Sequence, residues 1–104
     1  MAGASSVRMW PMRGGTLTID RARVDPSAGP GSVVMPCPSF LIEHPRALVL
    51  FDTGLNPAAV DNVEEFYGAD LAARMGISFT AEDTLERQFR GSGYLLGDVD
   101  VVVL

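Results

Sequence analysis

Two apolar runs, Phe40-Leu41-Ile42 and Leu48-Val49-Leu50-Phe51, stand on either side of His44-Pro45-Arg46, and this arrangement constrains the fold more than any other feature of the chain. Strand-length apolar segments flanking a proline turn predict a β-hairpin. The return run has no polar residue at alternate positions, so it is expected to be a buried strand. A second run of this kind, Val99-Asp100-Val101-Val102-Val103-Leu104, is dense in β-branched residues and predicts a strand covered on both faces.

The remaining segments fall around these two anchors. Val7 to Met12 is short and apolar, Arg13-Gly14-Gly15 supplies turn residues, and Leu17-Thr18-Ile19-Asp20 alternates, which predicts two strands joined by a turn. Asp25 to Ser32 holds two Pro and two Gly and reads as an exposed loop, because neither residue type continues a strand or helix well. Val33 to Met35 leads into the Pro36-Cys37-Pro38 interruption before Phe40.

Asn56 followed by Pro57 is a helix-start signal: Asn caps free amides and Pro is preset for the first helical position. A helix from about Pro57 to Phe66 is expected. A second start lies at Thr80, with Asp83 three residues on as a variant capping box. Leu85 and Phe89 then share one face, and Gly91 can end that helix.

Composition narrows the possible partners. All eight basic residues are Arg, and the net charge is −5, so no basic patch is available to neutralise a phosphate backbone. Nucleic acid is therefore not expected as a partner. The apolar runs are far shorter than the roughly 20 residues that span a bilayer. Met1 to Arg13 lacks the apolar stretch of a secretory signal peptide, so a cytoplasmic location is the expectation. With 104 residues, at most one small domain is expected.

Few side chains carry candidate chemistry. His44 is the one histidine and Cys37 the one cysteine; the first reads as an exposed turn residue, the second as a small buried apolar side chain. Together they fall short of the three or four ligands of a protein zinc site. No disulfide within the chain is possible.

Asp52-Thr53-Gly54 is the one compact polar group at the end of a buried strand, a place that favours functional residues because the sheet fixes them and the loop exposes them. The same tripeptide also fits an Asp bonding backbone amides in a tight turn, with Gly54 permitting the backbone angles. An aspartic-protease-like homodimer using Asp52 is one alternative, since two such carboxylates share a proton and activate water. Leu55 after the glycine and the helical reading of Asn56 to Arg90 argue against it.

A resemblance covers almost the whole chain. Gly15-Thr16-Leu17-Thr18-Ile19-Asp20, Pro38-Ser39-Phe40-Leu41-Ile42-Glu43-His44-Pro45-Arg46 and Leu48-Val49-Leu50-Phe51-Asp52-Thr53-Gly54-Leu55-Asn56-Pro57 resemble the N-terminal portion of metallo-β-lactamase-fold hydrolases. More narrowly they resemble the N-acyl homoserine lactonase branch, which degrades quorum-sensing signals. The later Glu82-Asp83-Thr84-Leu85 helix and the closing valine-rich strand occur in the same order. In the family, that strand runs into a Ser/Thr-His-x-His-x-Asp-His loop that supplies most of the zinc ligands, whereas this sequence stops at the strand's last residue. Phe89-Arg90-Gly91-Ser92-Gly93 carries fewer helix formers than the family pattern.

The resemblance implies an α/β (α+β) fold: the N-terminal half of an αββα sandwich, one mixed sheet with helices on one face, occupying residues 1–104. It implies a parent enzyme with two zinc ions that lower the pKa of a bridging water and polarise a lactone or ester carbonyl. The 104 residues alone are expected to be inactive, with no catalytic residue and no bound metal. By the same analogy Asp52 stands beside the zinc-binding loop and holds its geometry by hydrogen bonds, and Phe66, Tyr67, Met75 and Phe79 flank the acyl-chain pocket, although all four also suit a core role. The last alternative is a non-catalytic module that self-associates through its C-terminal strand.

Overall fold

A computed structural model describes residues 6–104; the first five residues of the Met1–Arg13 stretch lie outside the described residues. The predicted hairpin forms as β2 (Ser32–His44) and β3 (Ala47–Phe51). His44 pairs with Ala47, leaving Pro45 and Arg46 as a two-residue connection, and His44 Nδ1 accepts from the Arg46 amide at 3.1 Å. The histidine is thus an exposed turn residue. β1 (Arg8–Asp20) pairs antiparallel with β2, and β4 (Val101–Val103) runs parallel to β3. The result is one mixed sheet in the order β1-β2-β3-β4.

Two expectations about the strands are corrected. Val7 to Met12 and Leu17 to Asp20 are not separate strands: β1 is continuous, and its pairing with β2 skips from Arg13↔Pro38 to Thr16↔Pro36. Gly14 and Gly15 together face Cys37, two residues against one, so the glycine pair makes a β-bulge rather than a reversal. Nor does Pro36-Cys37-Pro38 interrupt β2. β3 pairs only as far as Phe40, so the earlier half of β2 has β1 on one side and an open edge on the other, where proline is tolerated.

A short helix, α1 (Arg21–Val24), links β1 to the loop before β2. The long parallel crossover from β3 to β4 carries the other helices. Asn56 caps as expected, its side chain accepting from the Ala58 amide at 2.9 Å with Pro57 at the first position. That helix is only a 3₁₀ turn, Pro57–Ala59, because Asn62 caps a new start by accepting from Glu65 N at 3.1 Å. α2 (Val63–Tyr67) begins there, and α3 (Ala69–Met75) follows after Gly68.

The Thr80–Asp83 box is present, with Thr80 N–H donating to Asp83 Oδ2 at 2.9 Å. It caps a 3₁₀ turn, Ala81–Asp83, and Thr84 then caps α4 (Leu85–Gln88). A further 3₁₀ turn over Phe89–Gly91 ends at the expected glycine.

The core lies on one face of the sheet. Met12, Leu41, Leu48 and Leu50 are buried there under Phe89, with Trp10, Leu85, Tyr94 and Val99 packed against them. Phe89 is 2% exposed, so it gains nearly the full transfer energy of a phenyl ring, about 1.5–3 kcal/mol. The opposite face carries two apolar rows, Met9-Ile42-Val49-Val101 and Pro11-Phe40-Phe51-Val103, aligned by the cross-strand registers. The closing strand departs from expectation here: Val101, Val102 and Val103 are all exposed on the edge strand β4; Val101 and Val103 continue the two uncovered rows, and Val102, beside Leu50 on the core face, lies past the elements that cover it. No helix among the described residues is long and apolar enough to cross a membrane.

Candidate functional site

Asp52 leaves β3 with φ 64°, the one positive value for a non-glycine side chain among the described residues. Such a conformation costs on the order of 1–3 kcal/mol and persists only where its surroundings fix it. Two hydrogen bonds do so. The Asp52 amide donates to the Val103 carbonyl at 2.7 Å, locking the turn to the end of β4. Asp52 Oδ1 accepts from the Thr53 amide, also at 2.7 Å. The carboxylate itself stays exposed.

The turn is also clamped from the side of β1. A side-chain carbon built on Gly14 would stand 2.8 Å from the Gly54 Cα, so the bulge and the turn touch through two glycines, and the Leu55 amide donates to the Gly14 carbonyl at 3.4 Å. Gly54 needs its freedom twice over, since its φ is 69° as well. Beneath this contact Ser39 is fully buried and its hydroxyl has no hydrogen-bond partner among the described residues. Cys37, opposite the bulge, is half-buried; burial raises its thiol pKa, and the negative charge of Asp52 adds to the shift.

Beside the turn lies a cleft of about 430 Å³ lined by Thr53, Gly54, Leu55, Asn56, Pro57, Phe66, Tyr67 and Leu85. This size falls within the range of small-molecule sites. Phe66 and Tyr67 pack edge to face with ring centroids 4.8 Å apart, and the Asn56 amide donates to the Tyr67 hydroxyl oxygen at 3.2 Å. The structure therefore brings two of the four aromatic and Met candidates to the Asp52–Gly54 turn. It places the other two elsewhere. Phe79 is buried against Gly15, where Ser78 bridges to Thr16 at the outer edge of β1. Met75 closes α3, ahead of Gly76, whose carbonyl accepts from the Thr18 amide.

Leu55, Pro57 and Leu85 line the cleft without having been singled out from sequence. The Asn56 cap and the apolar Leu55 before it were visible; that they face Tyr67 depends on the Asn62 restart. Among the described residues, no three His, Cys, Asp or Glu side chains are grouped so as to hold a metal ion. Apart from the Ser78–Thr16 bridge, the stretch from Asn56 to Arg90 is short helices joined by turns and loops.

No family profile matches this sequence, and no curated protein matches it. Solved structures do match. One is a mutant of AiiA from B. thuringiensis with N-decanoyl-L-homoserine bound at the active site, 24% identical over 90% of this chain and 38% of that one, with a TM-score of 0.73. Another is an N-acyl homoserine lactone hydrolase with the product N-hexanoyl-L-homoserine bound at its catalytic metal center, with the same identity, coverage and TM-score. A probable metal-dependent hydrolase from Staphylococcus aureus matches at 11% identity over 95% of this chain and 37% of its own, with a TM-score of 0.66. This chain spans 35 to 40% of the length of the structures it matches. The fold is that of the N-terminal part of a metallo-β-lactamase fold, a four-stranded mixed sheet with flanking helices.

Proposed function

We propose that these residues belong to a zinc-dependent hydrolase of the metallo-β-lactamase fold that opens N-acyl homoserine lactones, and that the 104 residues alone are inactive. The observation that carries this reading is a strained, exposed Asp52 whose amide is tied to the end of β4 and whose next two residues, Thr53 and Gly54, form part of the wall of an aromatic cleft. Strain of this kind gathers at functional sites, and an apolar cleft with a few polar groups suits an acyl chain. Similarity to structures holding N-acyl homoserines supports the substrate class.

Among the described residues no grouping of His, Cys, Asp or Glu fits a zinc pair, and in this reading the zinc ligands belong to other residues of the whole protein. Asp52 is in this reading a positioning residue, its backbone tied to β4 and its carboxylate left to orient the metal-holding segment. Zinc content and lactone ring opening, measured on the whole protein, test the reading. Asp52→Ala is expected to weaken zinc binding about 10- to 100-fold. A whole protein that binds no zinc and leaves the lactone intact would overturn it.

A second reading rests on the exposed valines of β4: an uncovered apolar edge strand pairs readily with another, so the chain would act as a non-catalytic module that self-associates there. Size-exclusion chromatography of the 104 residues decides, a dimer dispersed by Val102→Lys supporting this reading and a monomer sinking it.

A further inference from the structure

The Tyr67 hydroxyl is the polar group on the aromatic side of the cleft, and its hydrogen bond has a direction. The Asn56 amide has a hydrogen to give and nothing to accept with, so at 3.2 Å the phenol oxygen is the acceptor. A phenol has one proton of its own. That proton is not used in the contact with Asn56, and among the described residues no acceptor takes it. The hydroxyl is therefore held in place by one bond and left able to donate a second. Its neighbours on the wall are Leu55, Pro57, Phe66 and Leu85, which are apolar, while Thr53 and Gly54 connect it to the Asp52 turn.

We propose that Tyr67 is a specificity-determining residue whose hydroxyl donates to the carbonyl oxygen of an acyl amide, the apolar tail of the same molecule lying against Leu55, Phe66 and Leu85. This deepens the lactonase reading and rests on it. An acyl amide answers the two features the cleft offers, a hydroxyl donor and an apolar wall, with a carbonyl acceptor and an alkyl chain attached directly to it. A ligand with the tail but no carbonyl would leave the phenol proton desolvated and unpaired, and a site built to hydrogen-bond its ligand penalises that loss. The Asn56 bond fixes where the oxygen sits before any ligand arrives, so little side-chain freedom is lost on binding.

The experiment compares Tyr67→Phe with the wild type in the whole protein on two substrates: an N-acyl homoserine lactone, and a γ-lactone bearing an alkyl chain of equal length without the amide. One neutral hydrogen bond corresponds to about a tenfold change in binding. The expected result is a KM raised about tenfold for the acyl amide substrate with its kcat unchanged, and a KM for the plain alkyl lactone that is lowered or at least not raised, because the variant has no phenol proton left to strand. Equal KM increases on both substrates would show that the hydroxyl only supports the turn through Asn56, and would overturn the proposal. No change on either would overturn it too.

If the wild type opens neither lactone, the lactonase reading fails, and calorimetry with an N-acyl glycine amide then decides the role of Tyr67. About tenfold weaker binding by Tyr67→Phe supports the donor role, and equal binding overturns it.

Discussion

The two faces of the sheet are built from similar residues and end in opposite states. On one, Trp10, Met12, Leu41, Leu48 and Leu50 meet Phe89, Leu85 and Tyr94 from the crossover and form the core. On the other, Met9, Phe51, Val101 and Val103 are 57%, 47%, 46% and 39% exposed, and Phe40, Ile42 and Val49 between them are only half-buried. Apolar side chains alone therefore do not make a core; a covering element must supply atoms on the far side. A contiguous apolar face of this extent is what interaction surfaces carry and what monomeric surfaces avoid.

The difference between the two faces depends most on Phe89. Phe89→Ala removes the ring that covers four buried side chains and leaves a cavity, so the chain of 104 residues is expected to lose about 3–5 kcal/mol. Urea unfolding followed by tryptophan fluorescence measures this, since Trp10 packs against the same cluster. A loss below about 1 kcal/mol would mean that the helix face is not the main core and that the contrast between the faces is misdrawn.

That contrast was half legible in the sequence. The unbroken apolar run Leu48 to Phe51 predicted burial, and Leu48 and Leu50 are buried, while Phe51, which points to the other face, is not. A string of apolar residues specifies that both faces can be covered, but the covering segment lies elsewhere in the chain or in another chain. The same limit explains the glycines. Gly14-Gly15 is a valid turn signal, and only the register with β2, more than twenty residues away along the chain, makes it a bulge that touches Gly54.

Local chemistry was read more securely. The caps at Asn56 and Thr80 are satisfied by atoms within three residues, so sequence alone could place them. Helix length was not, because Asn62 competes as a second cap and ends the first turn early. The Asp52–Gly54 turn was visible as a candidate site for the reason that hairpin strands were: it follows a buried run directly. Its left-handed backbone and its tie to Val103 were not visible, being products of a parallel pairing that closes across the whole crossover.

Phe51 is the counterpart of Phe89 on the bare face. Phe51→Ser, in the chain of 104 residues, is expected to shift stability by no more than about 0.5 kcal/mol, as at an ordinary surface position. It should also lower the binding of a hydrophobic dye, because it cuts the centre of an exposed apolar row. Thermal melting and dye fluorescence on one sample give both readings. A loss above about 2 kcal/mol would place Phe51 in a packed interior, meaning that the second face is covered in solution.

The smallest effect concerns how the covered face is fastened at its end. Tyr94 donates its hydroxyl to Glu43 and stacks edge to face on Trp10 at 5.9 Å, while the Arg8 guanidinium sits 4.7 Å from the Trp10 ring centroid. The hydrogen bond to Glu43 is the main cause raising the Tyr94 pKa, with desolvation and the Glu43 charge adding to it. A folded-state pKa above the unfolded value means the folded chain holds this proton more tightly, so the contribution is complete below the ordinary tyrosine value of about 10 and is lost as pH rises through the folded value. Stability is therefore expected to decline on the alkaline side of pH about 10, and Tyr94→Phe to lower stability slightly at neutral pH and to flatten that decline, so that the two chains converge at high pH. Urea midpoints for both chains across the alkaline range check this. Identical pH profiles would show that the Tyr94–Glu43 bond does not fasten the covered face, and that its packing on Trp10 suffices.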